Sequence, residues 1–102
     1  MERISDIDAY RNSAIGGTWS LKGGQTYEAG VTDLPKIAGF SVVANIPIAE
    51  LEDSEGSCLH KVNLEANEVL KAGQTVGANR RFPFTKIVLG SGSGQIDLVK
   101  EQ

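Results

Sequence analysis

The chain has 102 residues, of which 40% are hydrophobic and 23% charged, with 12 Gly, 3 Pro, a single Cys and a net charge of −3. That length bounds it to one domain with one modest core, and a lone Cys excludes an internal disulfide framework or a Cys-cluster zinc site. It holds no run of about 18 apolar residues, so no transmembrane helix is expected, and the opening Met1-Glu2-Arg3-Ile4-Ser5-Asp6 lacks the basic-then-apolar order of a signal peptide.

Residues 4–15 are the one stretch with helical spacing, through Ile4, Ile7, Tyr10, Ala14 and Ile15, with Ser5 and Asp8 placed as in a capping box. Ile4, Asp6, Asp8 and Tyr10 also alternate as in a strand, so helix and strand both stay open there. Residues 1–16 are read as an N-terminal helix or arm, ahead of a single β domain over 17–102.

After Gly17 the segments become short and are broken by Gly or Asn. Thr18-Trp19-Ser20-Leu21 predicts a strand, Gly23-Gly24 a turn, and Gln25-Thr26-Tyr27-Glu28 the next strand. Gly39–Ile48 (GFSVVANIPI) is the richest in β-formers, although Pro47 argues against a central place for that end. Glu50–Ser57 reads as an acidic loop. Cys58–Leu64 alternates, which predicts a strand with Cys58, His60, Val62 and Leu64 on one face. Lys71-Ala72-Gly73 is a turn, Phe84–Leu89 a strand, Gly90-Ser91-Gly92-Ser93-Gly94 a hairpin tip, and Gln95–Val99 the returning strand. The expected fold class is therefore all-β: a small antiparallel sandwich or barrel of seven to eight short strands.

Residues 21–30 (LKGGQTYEAG) and 70–79 (LKAGQTVGAN) agree at six of ten positions with an offset of 49. Each reads as a strand ending in Leu-Lys, a turn whose Gly takes positive φ, and a strand restarting at Gln-Thr. This internal duplication suggests a pseudo-two-fold arrangement within one sandwich.

The LK-x-GQT turns and the closing IVLGSGSGQIDL at Ile87–Leu98 resemble small all-β bacteriophage virion proteins of the capsid decoration (cement), penton, head-fibre and neck types. The resemblance implies a non-enzymatic structural role on a virion, trimers or pentamers, and the major capsid protein or another virion protein as partner. It carries over no functional residue.

Charge is unevenly spread. Residues 1–68 hold 11 acids and 5 bases, whereas 69–96 hold Lys71, Arg80, Arg81 and Lys86 and no acid. Unlike patches of this kind suit head-to-tail contacts between copies, and the expected interface residues are Arg80, Arg81 and Lys86 on one side and Glu50, Glu52, Asp53 and Glu55 on the other. An acidic domain with four dispersed bases is a poor nucleic-acid binder. Cys58 and His60 have no further Cys or His to complete a zinc site. The acids of 50–55 lack the order of a calcium loop. No Walker, zincin or nucleophile-elbow motif occurs. Neither enzyme activity nor a cofactor or metal is therefore expected. The alternative is a carbohydrate- or ligand-binding module using Trp19, Tyr27 and Tyr10 as a stacking platform.

Overall fold

The computed structural model of the chain describes residues 2–3, 18–29 and 35–100; the expected helix or arm at 4–15, with Tyr10, lies outside them. Ten strands follow one another among the described residues: β1 (Glu2–Arg3), β2 (Thr18–Lys22), β3 (Gln25–Glu28), β4 (Ile37–Ala44), β5 (Ile46–Asp53), β6 (Gly56–Ser57), β7 (Glu68–Leu70), β8 (Thr75–Gly77), β9 (Lys86–Leu89) and β10 (Gln95–Lys100). They form a small β-sandwich. One sheet runs β1-β3-β9-β5-β6, with β7 also paired to β5; the other runs β2-β10-β4-β8. All the strand pairings are antiparallel except β1 with β3. β1 and β6 have two residues each, and the other eight strands are three to eight long.

Alternation builds the core. Ile46, Ile48, Leu51, Leu70, Tyr27, Ile87 and Leu89 point inward from the first sheet. Leu21, Ile37, Phe40, Val42, Val76, Ile96 and Leu98 meet them from the second. Phe40 and Phe84 pack with centroids 5.9 Å apart at a tilt of 47°, an arrangement aromatic quadrupoles favour over face-to-face stacking.

Four of the changes of sheet are tight corners, at Gly23-Gly24, Asn45, Lys71–Gln74 and Gly90–Gly94; the chain also changes sheet between β3 and β4 and between β8 and β9. Several expectations are corrected here. GFSVVANIPI is two strands in different sheets, because the chain turns at Asn45. Pro47 lies inside β5, which has neighbours on both sides, yet it sits where β9 has already ended, since Leu89 is opposite Ile48. Gly90 N–H still donates to Pro47 O at 2.8 Å, and Gly90 O, with no Pro47 N–H to meet, accepts from Gly24 N–H at 2.8 Å. Residues 90–94 are no hairpin tip but a crossing between sheets. The acidic stretch 50–57 is the end of β5 and a hairpin into β6. Residues 59–62 form a 3-10 turn, closed by Asn63 in the left-handed region at φ 59°, which Asn tolerates better than most residues.

The two LK-x-GQT copies occupy two of these corners with matching chemistry. Gly24 and Gly73 have φ of 81° and 91°. The Gln25 carboxamide oxygen accepts from the Lys22 N–H at 2.9 Å, and that of Gln74 from the Lys71 N–H at 3.2 Å. Leu21 and Leu70 are fully buried. Each turn is bonded to the crossing beside it: Gly23 N–H to Gly94 O and Gly24 N–H to Gly90 O in one, Ala72 N–H to Asn45 Oδ1 and Gly73 N–H to Val42 O in the other.

The correspondence extends to whole strands. Matching β2, β3, β4 and β5 with β7, β8, β9 and β10 turns the order β7-β5-β9-β3 into β2-β10-β4-β8. Registers follow: Leu70 faces Ile46 as Leu21 faces Ile96, and Glu68 faces Ile48 as Trp19 faces Leu98. Likewise Thr26, Tyr27 and Glu28 face Val88, Ile87 and Lys86 as Thr75, Val76 and Gly77 face Ser41, Phe40 and Gly39. The central pair departs. Strict correspondence would put Ile48 opposite Ile87, but it faces Leu89, with a bulge between Ile48 and Glu50. Up to the bulge the slip is two residues, which keeps each side chain on its own face; past it the inward positions change from Ile46 and Ile48 to Leu51 and Asp53.

Candidate functional site

At the end of the sandwich away from these corners, β5 runs out at Asp53, the chain turns through Ser54-Glu55 into β6, and the 3-10 turn follows. This local path brings ionisable groups together around Lys61. The Lys61 ammonium donates to Asp53 Oδ2 at 2.9 Å and to Glu55 Oε1 at 2.7 Å. The Glu55 N–H donates to the other Asp53 oxygen at 2.8 Å. Lys61 also stands 4.7 Å from the centroid of the Phe82 ring, within cation–π range. A cleft of about 380 Å³ opens beside this group, lined by Val62, Ala78, Phe82 and Phe84 as well as by the charged residues.

The electrostatics hold each group in one protonation state. Burial alone would raise the Asp53 pKa, but hydrogen bonds from Lys61 and the Glu55 amide, the Lys61 charge and the Cys58 thiol together hold it below the usual carboxylate value. Burial pushes the Cys58 thiol up to about 11, with the Asp53 charge adding to it. Hydrogen bonds to Glu55 and Asp53 raise the Lys61 pKa. At neutral pH Asp53 is thus anionic, Lys61 cationic and Cys58 a thiol. A protonated, paired Lys is neither base nor nucleophile, and the thiolate rather than the thiol is the reactive form of Cys. The cluster acts as a clamp between the β5–β6 hairpin and the 3-10 turn. Asp53 faces inward because it shares strand parity with buried Leu51.

Cys58 and His60 do not share a strand face: Cys58 is buried and His60 is exposed on the 3-10 turn. Among the described residues no group of three His, Cys, Asp or Glu side chains is placed to hold a metal ion. Tyr27 is fully buried and its hydroxyl donates to the Pro35 carbonyl, so it has no face to offer a sugar ring; burial also raises its pKa.

The seven expected interface residues fall into different settings. Arg80 and Arg81 are exposed in the Asn79–Phe82 turn, where the Asn79 carboxamide accepts from the Arg81 N–H at 2.9 Å. Arg80 borders a second cleft, of about 550 Å³, with Pro83, Val99 and Lys100. Lys86 lies between Glu28 and Glu52 in a cross-strand row on the outer face of the six-stranded sheet, its ammonium 3.9 Å from Glu52. Glu50 and Glu55 are exposed. Asp53 is only 5% exposed and satisfied internally, so it presents no free acid to a partner. Lys86 is thus flanked by Glu28 and by Glu52, one of the acids expected on the opposing side. The reading of the sequence missed Lys61, whose signal was being the one base between Glu50 and Glu68.

The outer faces of the two sheets differ although their backbones correspond. The six-stranded sheet carries Glu28, Lys86, Glu50 and Glu52 beside Pro47, exposed Val69 and the buried Thr26 and Val88. The four-stranded sheet carries Ser20, Ser41, Val43, Thr75, Gln95, Asp97 and Val99 around its centre, with Lys22 at one edge. Its one acid is bonded across strands, with Ser20 Oγ donating to Asp97 Oδ1 at 3.0 Å and Gln95 Nε2 at 3.2 Å. Val43 and Val99, at 49% and 43% exposure, are two of the three most exposed large hydrophobic residues described. No family model, no curated protein and no solved structure matches this chain.

Proposed function

We propose that this protein is a non-enzymatic assembly protein that works through repeated contacts between copies of itself and with a larger structure. The observation that carries this reading is the small, nearly uncharged outer face of the four-stranded sheet, on the same backbone framework whose other outer face is charged. Interface cores are depleted in charged residues, and a face of Ser, Thr, Gly and Val leaves little charge to desolvate on contact. The locked state of Lys61, Asp53 and Cys58 fits a scaffold better than a reaction centre. The resemblance of the turns and the closing Gly/Ser segment to phage virion proteins supplies the partner class: the major capsid protein or another virion protein, with trimers or pentamers as the assembled form.

Light scattering on the full chain across a wide concentration range tests it, beside Ser41→Lys, which places a charge in the middle of the uncharged face. The native chain is expected to form reversible oligomers that Ser41→Lys dissolves without loss of fold. A native chain that stays monomeric at every concentration and salt level refutes self-assembly.

A further inference from the structure

The two halves of the sandwich present two equivalent sheet edges, and among the described residues only one of them has a strand paired to it. β3 and β8 are matched strands, built from the same Gln-Thr of the repeat: Gln25-Thr26 and Gln74-Thr75. On β3 the outer edge pairs in parallel with Glu2–Arg3, with Glu2 opposite Gln25 and Arg3 opposite Thr26. On β8 no described residue pairs with the outer edge, and β8 ends its sheet. Thr75 is exposed, as is Gly77, around which a Cβ would meet open space.

The bonding parity of β8 leaves this edge competent. Gln74 O accepts from Val42 N–H, and Ala78 N–H donates to Ala38 O. Even-numbered residues of the strand thus serve β4, and Thr75 and Gly77 turn their N–H and C=O groups outward. Natural proteins blunt such edges with charge, Pro or bulges. β8 reads Thr-Val-Gly and carries neither charge nor Pro, while the covered strand β3 carries Glu28 where β8 has Gly77.

We infer that the outer edge of β8 is a strand-acceptor site whose occupant is the N-terminal strand of a second copy of this chain. Its Glu2 would lie opposite Gln74 and its Arg3 opposite Thr75, in the parallel register that β1 takes on β3. This is β-augmentation, in which main-chain bonds supply the affinity. β1 of each copy would exchange its own β3 for the β8 of a neighbour, and the two acceptors lie in different sheets, so the contact is head-to-tail and closes into a ring where the rotation permits. The inference rests on the assembly reading above and names one contact of that assembly.

The test uses the full chain, labelled with 15N, and a synthetic peptide spanning residues 1–6. At millimolar peptide the Thr75, Val76 and Gly77 amide signals are expected to shift, and exchange of the Thr75 and Gly77 amides with solvent to slow several-fold. Two changes should abolish both effects: Thr75→Pro, which removes an outward N–H, and a peptide N-methylated on each backbone amide from Glu2 to Ile4. The second control leaves the protein untouched should Thr75→Pro fail to fold. Shifts confined to Gln25 and Thr26, no shift at all, or an undiminished response to the methylated peptide would each overturn the inference. Oligomers by light scattering with an unresponsive β8 leave the assembly reading standing without this contact; a chain that stays monomeric at every concentration overturns both, whatever β8 does with the peptide.

Discussion

Alanine at three glycines separates backbone conformation from crowding. Gly24 and Gly73 have φ of 81° and 91°, and a Cβ built on either meets nothing within 4 Å. Their replacement is a pure conformational cost, about 1–2 kcal/mol for a left-handed L-residue. Against this, Ala restricts the unfolded chain and returns about 0.4–1 kcal/mol, so the net loss is about 1 kcal/mol for each. Gly94 is different. A Cβ there would stand 2.1 Å from Asn45 O, a backbone atom at the sharpest corner of the sandwich. That clash moves two crossings together and is expected to cost about 3 kcal/mol, the upper end for overpacking. Urea unfolding followed by far-UV circular dichroism reads all three. With m near 2 kcal/mol/M, Gly24→Ala and Gly73→Ala should lower the midpoint by about 0.5 M and by similar amounts. Gly94→Ala should lower it about three times as far. Unequal losses at Gly24 and Gly73 would break the correspondence of the two turns, and a mild Gly94→Ala would show that the corner is looser than described.

The clamp predicts a pH signature. The folded-state pKa of Asp53 is lowered, so its contribution to stability is fully present above the unfolded value of about 3.9 and is lost as pH falls through the folded value. Asp53→Asn should be less stable than the native chain at pH 7, with the gap closing below about pH 4; a gap that is constant down to acid conditions would mean that the Lys61 contacts do not tune this carboxylate. The thiol predicts inertness. With its pKa pushed up to about 11 and only 1% exposure, Cys58 should resist iodoacetamide at pH 8 in the folded chain and react once urea unfolds it. Rapid alkylation of the native protein would contradict its placement.

Much of the fold was legible because strands and turns have local causes. The glycines of the repeat announce positive φ, and alternation in QIDLV marks Ile96 and Leu98 as inward. The changes of sheet were not legible. Val42, Ile46 and Ile48 are all even-numbered and all buried, so the period of two runs unbroken through Asn45 and nothing in the pattern marks the corner. CLHKVNL alternates in polarity as a strand does, yet Leu59 and Leu64 reach the core from a 3-10 turn, since Asn63 reverses the chain between them. The glycines of 90–94 permit a tight reversal but do not say whether the returning strand joins its own sheet. In the candidate site, charge located the acids but not their direction; parity with Leu51 would have turned Asp53 inward, and Lys61 acquires its role only when the turn folds it back.

The matched halves show where residue identity is constrained. Inward positions keep their class across the two halves: Leu21 and Leu70, Ile46 and Ile96, Ile48 and Leu98, Tyr27 and Val76 all lie in the core. Turn positions keep their identity where the backbone uses it, with Gly for φ and Gln for the Lys amide. Outward positions diverge, as in Ser20 against Val69, Glu28 against Gly77 and Pro47 against Asp97. A core must satisfy packing wherever it occurs, so its matched positions stay alike, while an outer face answers only to what meets it. The charged face and the uncharged face on one framework thus mark different surroundings rather than different folding requirements. The same holds at the edges: one Gln-Thr strand is covered by Glu2–Arg3, and its counterpart keeps the same Gln-Thr with Thr75 exposed.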